Sequence, residues 1–119
     1  MKRSLVSALA VCVTVFIVST ASLHTQNASR TIEVHARRFA FSPSEITIKK
    51  GESVKMVLIS DDVTHSLVVP DLHINEEVKK GNPTRITITP TVGGDFQGKC
   101  GHFCGSGHGR MVFIVHVVN

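Results

Sequence analysis

The segment from Cys100 to Met111 places Cys100, His102, Cys104, His108 and Met111 within twelve residues. Gly101, Gly105, Gly107 and Gly109 lie among them, and Gly98 just precedes them. Glycine at that density suits neither a strand nor a helix and predicts a loop folded tightly around something. Thiolate and thioether donors prefer Cu(I), zinc or iron–sulfur clusters, whereas imidazole suits copper and zinc. Two cysteines are too few for an iron–sulfur cluster. A methionine beside cysteine and histidine favours copper, because zinc makes little use of thioethers. Two other readings stay open. One is a Cys2His2 zinc site completed by His65 and His108. The other is the disulfide that neighbouring cysteines form in an oxidising compartment, although so small a loop gains little from closure. A mononuclear His2Cys copper site with an axial methionine leaves one thiolate spare. Two metals sharing both sulfurs use them all.

The elements that must position these residues are short and β-branched. Thr31–Ala36, Glu45–Lys49 and Arg85–Thr89 alternate apolar with polar residues, and Ser53–Ser60, Ser66–Val69 and Met111–Val118 form further apolar runs. Lys50-Gly51-Glu52, Asp61-Asp62, Gly81-Asn82-Pro83 and Pro90–Gly94 supply turns between them. About seven strands at roughly ten-residue spacing, with no helical periodicity, predict an all-β, antiparallel sandwich. Asp71–Lys80 reads equally well as strand or extended loop. Asp62, three residues before His65, either orients that ring as a hydrogen-bond acceptor or simply turns the chain. Phe39, Phe41, Phe96, Phe103 and Phe113 are expected in the core or the wall of the site. His35, His73 and His116 are expected to be surface or core histidines.

The chain opens with basic Lys2 and Arg3, followed by an apolar run from Ser4 to Ala21, and no Asp, Glu, Lys or Arg occurs between Ser4 and Ser29. This pattern predicts a secretory signal, with an uncleaved membrane anchor as the competing reading. Residues 1–21 are therefore assigned to signal peptide or anchor, 22–30 to a linker and 31–119 to the functional domain. Either reading exports that domain to the periplasm or the outer face of the cytoplasmic membrane. Cys12 falls in the export segment, so the domain holds two cysteines. Without Lys2 and Arg3 the thirteen Lys and Arg become eleven, against nine Asp and Glu, a net charge of +2. That balance is too weak and scattered for nucleic acid. Lys49-Lys50 and Lys79-Lys80 read as solvated turn charges, with docking of an acidic partner as the alternative.

The spacing C-x3-C-x3-H-x2-M, with Asp62-Val63-Thr64-His65 upstream, resembles the CuA domain of cytochrome c oxidase subunit II and the copper domain of nitrous oxide reductase. Phe39 to Gly51 is similar to the opening strands of cupredoxins, so the resemblance spans about residues 37–118. It implies a cupredoxin-like Greek-key sandwich and a dinuclear copper centre. Cys100 and Cys104 would bridge the two ions, and His65 and His108 would each cap one. Met111 would be a weak axial ligand on the ion held by His65, and the backbone carbonyl of His102 would serve the other. Oxidase subunits usually have Glu at the position of His102. They also carry two preceding membrane helices, and many have Trp at the position of Leu67; this chain has no Trp or Tyr.

Three functions follow from these readings. The first is electron transfer between redox proteins, such as a cytochrome c and an oxidase or reductase subunit, with no bond chemistry performed by this chain alone. The second is storage or delivery of copper for CuA assembly, marked by one weakly held ion. The third is a zinc- or disulfide-closed β-domain used only for binding.

Overall fold

A computed structural model describes residues 29–119; the predicted signal or anchor, and the linker as far as residue 28, lie outside the described residues. Nine strands are present among them: β1 (Arg30–Arg37), β2 (Ala40–Ser42), β3 (Glu45–Lys49), β4 (Val54–Ser60), β5 (His65–Val69), β6 (Ile74–Val78), β7 (Thr84–Ile88), β8 (Gly94–Cys100) and β9 (Val112–Val118). They form a four-stranded sheet, β2-β1-β4-β7, and a five-stranded sheet, β3-β9-β8-β5-β6. The chain is thus all-β and folded as a cupredoxin-like sandwich.

Period-two patterning decides which face of each strand turns inward. In β4, Val54, Met56 and Leu58 are buried while Lys55 is exposed; in β9, Phe113, Val115 and Val117 are buried between partly exposed neighbours. Ile46 and Ile48 of β3, Val34 and Ala36 of β1, and Leu67 and Val69 of β5 complete the layer between the sheets. Phe41 meets Phe113 edge-on, with ring centroids 5.8 Å apart, an arrangement that adds to the area both rings bury.

The sandwich departs from purely antiparallel pairing. β1 runs parallel to β4, and β3 runs parallel to β9. After β1 and β2 the chain crosses to the other sheet as β3 before returning as β4, and such a crossover is what parallel neighbours require. The linker boundary also shifts, because Arg30 already belongs to β1. The ambiguous stretch resolves into the 3-10 turn Pro70–Leu72 and the strand β6.

This topology gathers four connections at one end of the sandwich. β1 and β4 both finish there, β5 starts there beside the end of β6, and β8 ends there beside the start of β9. Among the described residues no helix is long and apolar enough to cross a membrane.

Candidate metal centre

His65 is the first residue of β5, and Cys100 is the last of β8. The register pairs Leu67 with Cys100, so two groups 35 residues apart meet, with Cys100 Sγ 3.9 Å from His65 Nδ1. Met111 directly precedes β9. The Cys100 N–H donates to the Met111 carbonyl at 3.1 Å, which closes the intervening loop at its base. Inside that loop Cys104 Sγ lies 3.9 Å from His108 Nδ1 and 3.5 Å from Met111 Sδ. The Cys100 thiol donates to the backbone carbonyl of His102 at 3.2 Å. Ligand atoms of His65, Cys100 and Cys104 all fall within 4.8 Å of one another. All five predicted side-chain donors and the predicted carbonyl therefore converge, each cysteine facing its own histidine; the His102 carbonyl lies on the His65 side and Met111 on the His108 side, the reverse of the partition that the resemblance implies.

His65, Cys100, Cys104 and Met111 are buried, His108 is half-buried and the His102 side chain is exposed. Both cysteines are free thiols. Two sulfurs, two imidazoles and a thioether in a largely apolar enclosure fit a soft metal, copper above all. Burial, reinforced by the neighbouring Cys100, pushes the Cys104 thiol upward. The low-dielectric setting that raises it also makes a bound cation a strong competitor for the proton.

Asp62 orients His65. Its Oδ1 lies 2.6 Å from His65 Nε2, and a carboxylate can only accept, so Nε2 carries the proton and Nδ1 presents its lone pair toward Cys100. The same carboxylate accepts from the Val63 amide at 2.6 Å and from the Arg38 amide at 2.7 Å. Partial burial pushes the Asp62 carboxyl up, but the Arg38 amide, the His65 ring and the Val63 amide outweigh it and bring it down to about 2. Both readings of Asp62 hold together, since it turns the chain and aims the ring.

Sequence reasoning missed the supports of the loop. Arg38 Nε donates to the Cys104 carbonyl at 2.8 Å, and Ser66 Oγ accepts from the Gly101 amide at 2.9 Å. Ser66 adjoins a predicted ligand, but nothing in the sequence ties Arg38 to a residue 66 positions away. The Phe39 ring packs so closely on Gly105 and Gly107 that a Cβ at either would collide with it, which accounts for glycine there. Arg110 lies over the same ring, its Cζ 5.9 Å from the centroid.

Of the two positions expected for it, Phe103 takes the wall of the site and not the core. It is 74% exposed, tilted against His108 with centroids 5.8 Å apart. With Arg38, Val63, Thr64, His102 and Cys104 it lines an open hollow of about 240 Å³. His35, His73 and His116 stay apart from the cluster. His35 pairs with Asp61, and His116 bridges Asp95 and Glu45.

Fold and site together define a cupredoxin. A family model described as "Cupredoxin-like domain" matches residues 7–113, and the chain belongs to that family. Within it, the chain is similar to a "Probable cytochrome c oxidase subunit 2" of Streptomyces coelicolor, 40% identical over 72 residues. That alignment covers 60% of this chain and 23% of the relative, so the chain spans about a quarter of the length of that curated relative. Among solved structures, a chain of a heme-copper terminal oxidase dimer superposes with a TM-score of 0.69 at 25% identity, covering 78% of this chain and 67% of the other. The periplasmic domain of cytochrome oxidase subunit II from Bradyrhizobium japonicum gives 0.70 at 16% identity, covering 76% and 84%, a likeness of fold.

Proposed function

We propose that this chain is an exported electron-transfer module with a dinuclear CuA-type centre, acting beside or within a terminal oxidase or reductase. The observation that carries the proposal is the paired arrangement of the donors. Cys100 faces His65 and the His102 carbonyl, and Cys104 faces His108 and Met111. A single zinc or copper ion has no use for all six. His65, Cys100, His102, Cys104, His108 and Met111 would hold the metal, with the thiolates shared between two ions. Copper bound there would supply reversible single-electron chemistry.

The rest of the task falls to the protein. Asp62 fixes the tautomer of His65 before metal arrives, and Arg38 and Ser66 hold the loop backbone in place. Burial of Met111 and both sulfurs excludes water and keeps the donors from rearranging, which favours fast electron exchange. Every donor comes from the chain itself, so the site carries no position for a substrate to bind. Residues 1–21 serve as export signal or anchor in this reading, 22–30 as linker, and 31–119 as the working domain. The periplasm or outer membrane face is where oxidase subunits and cytochromes c would meet it.

Electron paramagnetic resonance on the anaerobically reduced, copper-reconstituted chain tests the proposal. Hyperfine splitting from two equivalent coppers supports it, and a single-copper pattern refutes it. One weakly held, readily surrendered Cu(I) would point to copper delivery instead. Cys104→Ser should abolish the two-copper spectrum.

A further inference from the structure

The two lysine pairs of the sequence lie at opposite ends of the sandwich. The Lys50 amide donates to the Val118 carbonyl, which puts Lys49-Lys50 beside the far end of β9 from Met111. Lys79 and Lys80 continue β6 past Val78, the partner of His65, and Lys80 bridges to Ser60. They share the end that holds the metal-ligand cluster.

That end is basic. Arg37, Arg38, Lys79, Lys80 and Arg110 are all exposed there. The only carboxylates in its four connecting loops are Asp61 and Asp62, and both are engaged, Asp61 by His35 at 2.8 Å and Asp62 by His65 and two amides. Glu77 at the end of β6 pairs with Lys79 at 3.4 Å. Amid these cations stands Phe103, a bare aromatic ring between the two cysteines, next to the hollow over Cys104. A charged rim steers encounter and an apolar centre holds it, which is the anatomy of a transient docking face.

We infer that this face docks an acidic single-electron carrier protein, with Phe103 as the apolar contact and Arg37, Arg38, Lys79, Lys80 and Arg110 as the cationic rim. The inference rests on the electron-transfer reading above. With copper bound, the encounter would pass one electron from the partner to this chain's centre, oxidising the partner by one and reducing the centre by one, with no bond formed or broken. A cationic cytochrome c, by the same charge argument, is repelled.

The test uses the full chain, isotope-labelled, reduced and metal-free, titrated with an acidic and a basic cytochrome c of similar size. The acidic protein should shift the amides of Phe103, Lys79, Lys80 and Arg110, with affinity falling about tenfold or more between about 20 and 200 mM salt. K79E/K80E should slow association about tenfold, whereas K49E/K50E at the far end should leave it unchanged. Phe103→Ala should weaken binding without altering its salt dependence. Circular dichroism confirms that these surface variants fold. Tighter binding of the basic cytochrome, or indifference to K79E/K80E, overturns the inference. So does occupancy of the same amides by anionic phospholipid vesicles in place of the acidic protein. Because the binding measurement needs no copper, loss of docking with an intact two-copper spectrum refutes this inference alone. Docking without that spectrum refutes the electron-transfer reading.

Discussion

Replacing Asp62 by Asn isolates the step that prepares His65 for metal. The carboxylate receives three N–H donors, from His65 Nε2, Val63 and Arg38. An amide of the same size has one acceptor oxygen and an NH2 group that can only donate. With its oxygen toward His65 and Val63, the NH2 faces the Arg38 amide. With the oxygen toward Arg38, the NH2 faces His65 and forces the ring proton onto Nδ1, the nitrogen turned to Cys100. Either orientation loses a charge-assisted bond, about 1.5–3 kcal/mol, against about 1 kcal/mol for a neutral one. Loss of an outer partner from a ligating histidine typically lowers metal affinity about 10–100-fold, about 1.4–2.8 kcal/mol, so two routes agree. Copper(I) competition against a chelator should show that loss, and urea unfolding of the metal-free chain should show destabilisation of about 1–2 kcal/mol. The depressed carboxyl contributes to folding above its ordinary 3.8 and loses that contribution as pH falls through about 2. The variant should accordingly converge on the wild type in acid. Copper affinity within twofold of wild type, with the stability loss present, would refute the orienting role.

Other perturbations address the scaffold. Phe113→Ala, at a fully buried ring packed on Phe41, should cost about 3–5 kcal/mol in urea unfolding. Gly107→Ala drives a methyl into Phe39, whereas Gly109 faces open space. The first should lose about 1–3 kcal/mol and weaken copper binding, and Gly109→Ala should retain the binding. His116 is held above its ordinary value by its hydrogen bond to Asp95, then by that to Glu45. A raised histidine stabilises fully below about 6.5, its unfolded value, and loses that contribution as pH climbs through the folded one. The urea midpoint gap between wild type and His116→Gln should therefore be widest near pH 5.5 and close toward pH 8.5, more weakly in high salt because the groups are exposed.

Where side chains alternate cleanly the strands were legible: Glu45–Lys49 has the bounds its pattern predicts, and β4 and β9 differ by one residue. β8 was not. Gly94, Asp95 and Gly98 are poor strand formers, and this segment is extended because β9 and β5 hold it from both sides. β2 is three residues long and offers no period to detect. The parallel pairings escaped because local patterning carries no record of strand order. In the site, donor chemistry and spacing marked the residues that converge there, since groups that share a metal centre must lie within reach of one another. Arg38, Ser66 and Phe39 act through backbone contacts and shape, which many residue types provide, so their part emerged only from the fold. For Phe103 the sequence left core and wall open, and only the fold shows the exposed wall position, because a loop can turn such a ring outward.

The hydrogen bond from Cys100 to the Met111 carbonyl works like a drawstring on the ligand loop. It joins the two ends of a segment that carries every donor except His65, and it does so on neighbouring strands that are already paired. Beyond the neck, the sandwich holds the loop at a few further points: Arg38 on the Cys104 carbonyl, Ser66 on the Gly101 amide and Phe39 on Gly105 and Gly107. Away from those points, insertions, deletions or exchanged residues can rewrite the chemistry while leaving the folding problem untouched. A lineage that keeps the neck and one upstream histidine holds a socket into which different metal chemistries can be fitted.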